Sequence, residues 1–214
     1  MKRIQNIVFD VGDVLLEYRW RDMLKDFGLS YQDAERVGHA MFDDEDGLWR
    51  ELDLGVKTQE EIIKAYEKKY PQDAKAIRYF ISHGEYMSVP RPEIWEKIPQ
   101  LKEKGYRIYL LSNYSEDLFE KHTRYADFME YLDGKMVSYM IHKVKPDPAI
   151  YQALLKNFGL DAKECLFFDD RADNVKAARE LGMAAKQVLS RQGLEKDLCD
   201  LLSDQFDIAE LTIE

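Results

Sequence analysis

The stretch Ile7-Val8-Phe9-Asp10-Val11-Gly12-Asp13-Val14-Leu15-Leu16 decides the fold. A short apolar run between the polar pair Gln5-Asn6 and a glycine predicts a buried parallel strand. Asp10 stands where that strand stops. Ligands of open α/β sheets bind outside the carboxyl ends of the strands, so a carboxylate there faces the natural crevice. Taken alone, these residues leave two readings of Asp10, a nucleophile or a cap of the following turn.

A chain of 214 residues, 45% of them hydrophobic, can bury a full core as one domain, or as one domain with a modest insert. The formal net charge of −10 disfavours non-specific association with nucleic acid or an anionic membrane, whose phosphates it repels. A small anionic substrate remains compatible if positive charge is concentrated locally. Met1-Lys2-Arg3-Ile4-Gln5-Asn6 leads into a strand rather than a signal-peptide core, and no apolar segment approaches the roughly 18 residues of a membrane span. The expected location is therefore cytoplasmic. Cys165 and Cys199 lack metal-site spacing and suit a reducing compartment.

From Tyr18 to Met87 charged and aromatic residues recur at helical spacing, with no strand among them. Trp20 to Gly28, Ser30 to Phe42, the capping-box pattern Thr58-Gln59-Glu60-Glu61 and a cap at Asp73 mark successive helices. An insert of about 70 residues is too long for an ordinary loop, and its position over a strand end makes it a candidate lid. Expected boundaries are 1–16 and 88–214 for the core and 17–87 for the insert.

Val89-Pro90-Arg91-Pro92-Glu93 marks the return, followed by a helix from Pro92 to Lys104 with an irregularity at Pro99. Tyr106-Arg107-Ile108-Tyr109-Leu110-Leu111 is a second strand ending on polar groups, Ser112-Asn113. Glu116 to Tyr125 reads as a helix, Lys135 to Met140 as a short strand, and Asp147 starts a helix that stops at Gly159. Leu166-Phe167-Phe168 is a third apolar run, stopped by Asp169-Asp170, and Ala172 to Leu181 with Ala184 to Leu189 completes a β-α-β alternation. Gly193 to Ser203 reads as a peripheral helix. Parallel strands bring Asp10, Ser112-Asn113 and Asp169-Asp170 to one edge, and Lys145 lies in a Pro-bounded loop between the second and third.

Taken in order, these motifs resemble the haloacid dehalogenase superfamily of phosphohydrolases along essentially the whole chain. Phe9-Asp10-Val11-Gly12-Asp13-Val14-Leu15 is similar to the first motif, with Asp10 at the nucleophile, and Leu110-Leu111-Ser112-Asn113 to the second, with Ser112 as phosphate ligand. Lys143 and Lys145 both lie near the third. Lys145-Pro146-Asp147-Pro148 matches its lysine-proline pattern. Phe168-Asp169-Asp170-Arg171-Ala172-Asp173-Asn174 is similar to the acidic fourth motif. The Gly12 variant, and Trp49 to Gly55 followed by Thr58 and Glu61, resemble bacterial sugar-phosphate phosphatases related to the N-terminal phosphatase domain of soluble epoxide hydrolase.

The resemblance implies a Rossmann-like α/β fold, a parallel sheet flanked by helices, with a small all-helical cap. It implies a Mg²⁺-dependent phosphatase forming an aspartyl-phosphate on Asp10. Asp10, the Gly12 carbonyl and Asp170 would hold the metal, with Asp169 beside them. Lys145 and Ser112 would meet the phosphate, with a lesser direct role for Asn113, which also suits fixing the Ser112 loop. Asn174 would orient Lys145 or the metal shell. Asp173 reads as a helix-start residue, His142 as an exposed loop histidine, and Arg171 as either a substrate contact or a solvent-facing residue. Trp20, Met41, Phe42, Trp49 and Arg50 of the insert fit its own core better than substrate contacts. The expected partner is a small phosphorylated metabolite, without nucleic acid or membrane, for a monomer or homodimer.

Many relatives carry a second aspartate two residues after the nucleophile, as general acid. Here that position is Gly12. Asp13 is one residue further along, on the opposite side of an extended backbone, and reads as a turn residue unless a bulge re-aims it. The gap points to leaving groups that need little protonation, such as the anomeric oxygen of a sugar 1-phosphate, and to a gain on poor leaving groups for Gly12→Asp. Alternatives are a 2-haloacid dehalogenase, a phosphomutase, or a ligand-binding module without turnover.

Overall fold

The computed structural model describes residues 4–209 and 211. Strand β1 (Asn6–Phe9) is followed by β2 (Leu16–Tyr18), and then by helices α1 (Trp20–Asp26), α2 (Tyr31–Phe42), α3 (Leu48–Asp53), α4 (Gln59–Lys69) and α5 (Ala74–Ser82). Strand β3 (Ser88–Pro90) leads to α6 (Pro92–Trp95), α7 (Lys97–Glu103), β4 (Arg107–Ser112) and α8 (Glu116–Thr123). The remainder is β5 (Gly134–Val137), α9 (Ser138–Ile141), α10 (Pro148–Phe158), β6 (Cys165–Asp169), α11 (Ala172–Glu180), β7 (Ala184–Gln187) and α12 (Arg191–Leu202).

The main sheet is parallel, in the order β5-β4-β1-β6-β7. Its centre is β1, where Phe9 lies level with Leu110 on one side and Phe168 on the other. Alternate side chains leave opposite faces of a strand, which sorts the core into two layers. Ile7, Phe9, Leu110 and Phe168 join the layer shared with α6, α7 and the helical insert. Val8, Leu111 and Phe167 pack beneath Ile150, Tyr151 and Leu154 of α10 and Val175 and Ala178 of α11. Burial on both faces is why β1 reads as an unbroken apolar run. The architecture is the Rossmann-like α/β fold expected from the sequence.

Within the insert, Ser30 caps α2 by accepting from the Asp33 N–H, and Thr58 and Glu61 form the full capping box of α4. Asp73 precedes α5, but its carboxylate makes no cap. It accepts from Arg36 Nη1 at 2.5 Å and Nη2 at 2.9 Å. The insert also differs from an all-helical segment at its ends. Leu16–Tyr18 pairs antiparallel with Ser88–Pro90, so chain entry and exit form a two-stranded ribbon and the expected border between residues 16 and 17 falls inside β2.

Two further differences have local causes. The expected Pro92–Lys104 helix breaks at Glu96. Pro99 has no N–H for the Trp95 carbonyl, and its ring crowds that carbonyl. The strand expected over 135–140 ends at Val137, because Ser138 begins the helical turn α9 and lends its hydroxyl to neighbouring loops. Among the described residues, no helix is long and apolar enough to cross a membrane.

Candidate active site

The carboxyl ends of β1, β4 and β6 place Asp10, Ser112 and Asp169 side by side. The loop before α10 adds Lys145, whose side chain is 1% exposed. Its Nζ lies 2.8 Å from Asp10 Oδ1, and it donates to Asp169 Oδ2 at 2.6 Å and to the Leu111 carbonyl at 2.9 Å. Asp10 Oδ1 also accepts from Ser112 Oγ at 2.6 Å and from the Val11 N–H at 2.8 Å. These contacts converge on one carboxylate oxygen. Asp10 is thereby held by Oδ1, while Oδ2 carries none of them.

Asp169 is fully buried and fully engaged. Its Oδ1 accepts from the Arg171 N–H at 2.8 Å and from Asn174 Nδ2 at 2.9 Å, opposite the bond from Lys145. Asn174 therefore orients Asp169, not Lys145. Asp170 is half-buried, and its carboxylate has no hydrogen bond or ion pair with a described residue. One carboxylate oxygen from each of Asp10, Asp169 and Asp170 lies within 4.8 Å of the others. Three hard oxygen donors this close are the donor set a small divalent cation takes.

The electrostatics fit the same description. Burial, and after it the charge of Asp169, raises the Asp10 carboxyl above its ordinary range despite opposition from Lys145 and Ser112. Burial, then Asp10 and Asp169, likewise raises Asp170. Burial alone would lower Lys145, but the charges of Asp10 and Asp169 outweigh it and hold the ammonium above its usual value. The acidic cluster thus carries more negative charge than one lysine offsets. A cation among the carboxylates would relieve it.

The other expected residues have identifiable positions. Asn113 clamps the lysine loop with both amide atoms, accepting from the Lys145 N–H at 2.8 Å and donating to the Lys145 carbonyl at 3.0 Å. Asp13 has φ 51°, and its carboxylate accepts from the Tyr18 N–H at 3.0 Å, so it serves the turn rather than replacing an acid. Asp173 pairs with exposed Arg171 and accepts from the Asn174 N–H at 3.1 Å. His142, although exposed, donates from Nδ1–H to the Leu54 carbonyl at 2.7 Å.

A cavity of about 790 Å³ opens from this cluster towards the insert, lined there by Trp20, Met41, Phe42, Trp49 and Arg50. Phe42 makes edge contacts with Trp20 and Trp49, at 5.5 and 4.8 Å between centroids. The rings pack against the insert's core and also form the cavity wall.

Three lining residues escaped the sequence reading. Tyr18 occupies the space beside Gly12: a Cβ there would sit 2.5 Å from Tyr18 Cε2. The expected benefit of Gly12→Asp thus meets a filled space. Tyr18 donates to the Tyr114 hydroxyl, which lies 3.1 Å from Nδ1 of buried His122. Asp53, the last residue of α3, lines the cavity, and burial and then the charge of Asp10 push its carboxyl up to about 7. Asp53 falls within the Trp49 to Gly55 pattern, which does not single it out, and no motif marks Tyr18 or Tyr114.

The sequence profile of the haloacid dehalogenase-like hydrolases matches residues 4–182. A phosphatase of Mycobacterium tuberculosis is 28% identical over 227 residues, spanning 92% of this chain and 95% of its own. The D-ribitol-5-phosphate phosphatase of Bacteroides thetaiotaomicron is 25% identical, over 86% of this chain and 91% of its own. A solved structure of a haloacid dehalogenase family enzyme from Bacteroides thetaiotaomicron, in complex with magnesium and inorganic phosphate, is 26% identical with a TM-score of 0.67, covering 86% of this chain and 93% of that one.

Proposed function

The chain belongs to the haloacid dehalogenase-like hydrolases, and on that premise we propose that it is a Mg²⁺-dependent phosphatase of small phosphorylated metabolites, sugar phosphates foremost, acting through an aspartyl-phosphate on Asp10. The supporting observation is the asymmetry of Asp10: one oxygen is held by Ser112, Val11 and Lys145, and the other is left for chemistry. Asp10, Asp170 and the Gly12 carbonyl, backed by Asp169, would hold the metal. When bound, Mg²⁺ supplies positive charge against the phosphoryl oxygens, which otherwise repel an attacking carboxylate.

Lys145 contributes compact positive charge at the base of the site, and Ser112 is placed to pass its hydrogen bond from Asp10 to a phosphate oxygen. The free oxygen of Asp10 attacks phosphorus in line, the leaving oxygen departs with the bonding electron pair, and water then hydrolyses the aspartyl-phosphate. Asn113 fixes the lysine loop and Asn174 fixes Asp169, so both act through their neighbours. The site offers no carboxylate at position 12 for the leaving oxygen, which favours sugar 1-phosphates. Dehalogenation, phosphomutation and binding without turnover are not favoured, given relatives that are phosphatases.

The test is a panel of phosphorylated metabolites assayed with and without Mg²⁺, with Asp10→Asn as the blank. Metal-dependent phosphate release by the wild-type protein and none by the variant is expected. Release by the variant at a comparable rate would overturn the mechanism.

A further inference from the structure

The segment that ends α3 is pinned to the core at three successive residues. Ser138 Oγ donates to the Asp53 carbonyl at 2.5 Å, and His142 Nδ1 meets the Leu54 carbonyl at 2.7 Å. Gly55, at φ +65°, lies so close to α9 that a Cβ would sit 3.0 Å from Tyr139 Cβ. Each of these contacts uses main chain of the insert, so none employs the Asp53 side chain. Ser138 also accepts from the Tyr114 N–H at 2.9 Å, which ties the same point to the loop carrying Ser112 and Asn113.

The Asp53 carboxylate is thus delivered to the cavity that holds Asp10 and Lys145, and it makes no hydrogen bond or ion pair with a described residue. A half-buried carboxylate without a partner is unfavourable unless something else supplies donors. The phosphoryl group is a poor source, since it and the ionised carboxylate are both anions. When a substrate fills the cavity and displaces solvent, the matching donors are those of the rest of the ester. An ionised carboxylate only accepts, and hydroxyl groups are the neutral donors that match it. In the same cavity, Trp20, Phe42 and Trp49 offer ring surface to carbon-bound hydrogens.

We propose that Asp53 is the specificity residue of this site, its carboxylate accepting hydrogen bonds from the hydroxyl groups of a polyhydroxylated leaving group. The proposal rests on the phosphatase reading above and adds the residue that recognises the part of the ester that departs. Ser138 is its positioning residue, because it fixes that segment and the phosphate-side loop together.

The experiment compares wild-type protein with Asp53→Ala and Asp53→Asn, all with Mg²⁺, on D-ribitol 5-phosphate, D-glucose 1-phosphate, O-phosphoethanolamine and p-nitrophenyl phosphate. In Asp53→Ala, kcat/KM for the two hydroxylated esters relative to p-nitrophenyl phosphate should fall about ten-fold or more, with a rise in KM. Asp53→Asn keeps an acceptor oxygen and should fall between the two. The thermal midpoint of Asp53→Ala should not drop, because the carboxylate removed has no hydrogen-bond or ion-pair partner among the described residues. An equal loss on every ester, a loss in kcat with KM unchanged, a lowered midpoint, or an Asp53-dependent preference for the aminoalkyl ester would each overturn the assignment. Absence of turnover by the wild-type protein on every ester would instead overturn the phosphatase reading, and this inference with it.

Discussion

The ring of Tyr18 fills the space that a side chain at Gly12 would enter, with Cε2 at 2.5 Å and the hydroxyl oxygen at 2.6 Å from an added Cβ. That ring is tethered by its hydrogen bond to Tyr114. A side chain at position 12 would therefore have to displace the Tyr18 ring. Gly12→Ala should cost about 1–3 kcal/mol of stability, as overpacking does, and Gly12→Asp should lower turnover. Combining either with Tyr18→Ala should recover about 1 kcal/mol or more of coupling in a urea-denaturation cycle. Strictly additive effects would show that Tyr18 can step aside.

Lys145 and Asp10 should respond in opposite senses. Replacing Lys145 with Met leaves Asp10 and Asp169 buried together without their cation, at a cost of about 3–5 kcal/mol, and abolishes turnover. Asp10→Asn also abolishes turnover but removes a carboxyl that burial disfavours, so without metal at pH 7 it should be more stable than wild type. Urea midpoints measured in EDTA check both signs. A destabilised Asp10→Asn would show that Asp10 contributes more to the fold than its burial takes away.

His122 supplies one component of the pH dependence. Burial lowers its pKa below the ordinary 6.5, with Nε2 2.8 Å from the Gly84 carbonyl. The unfolded chain then takes up the proton first as pH falls. Stability from this group is complete above the ordinary value and is lost as pH drops below it. His122→Gln should remove this group's rise in stability between about pH 5 and 7, leaving the opposite slope of the raised carboxyls Asp10, Asp53 and Asp170. An unchanged slope would place the titration elsewhere.

Without a carboxylate at position 12, sugar 1-phosphates should be hydrolysed faster than the matching 6-phosphates. Initial rates on glucose 1-phosphate and glucose 6-phosphate decide the matter, and a wide margin in favour of the 6-phosphate would refute it.

The sheet and the edge that carries the candidate site were legible because β1, β4 and β6 are short apolar runs, each stopped by a polar residue, and parallel strands share an edge. The β2–β3 ribbon was not: each strand has three residues, Glu17 and Pro90 weaken the pattern, and the pairing spans the whole insert. Asp53 was hidden for a related reason. Leu52 and Leu54 beside it suggest only a helix end, and its place over the site depends on Ser138, 85 residues away. Tyr18 reads as one aromatic residue among many until Gly12 is seen beneath its ring.

The ribbon also bears on how such a chain diversifies. Leu16 and Pro90 are already neighbours, so the chain enters and leaves the insert at one point, as a closed loop does. Doubling the length of such a loop costs only about 0.6 kcal/mol in closure entropy. The five helices can be lengthened, trimmed or replaced while Asp10 and its partners stay in register, so descent can alter selectivity and inherit reactivity unchanged.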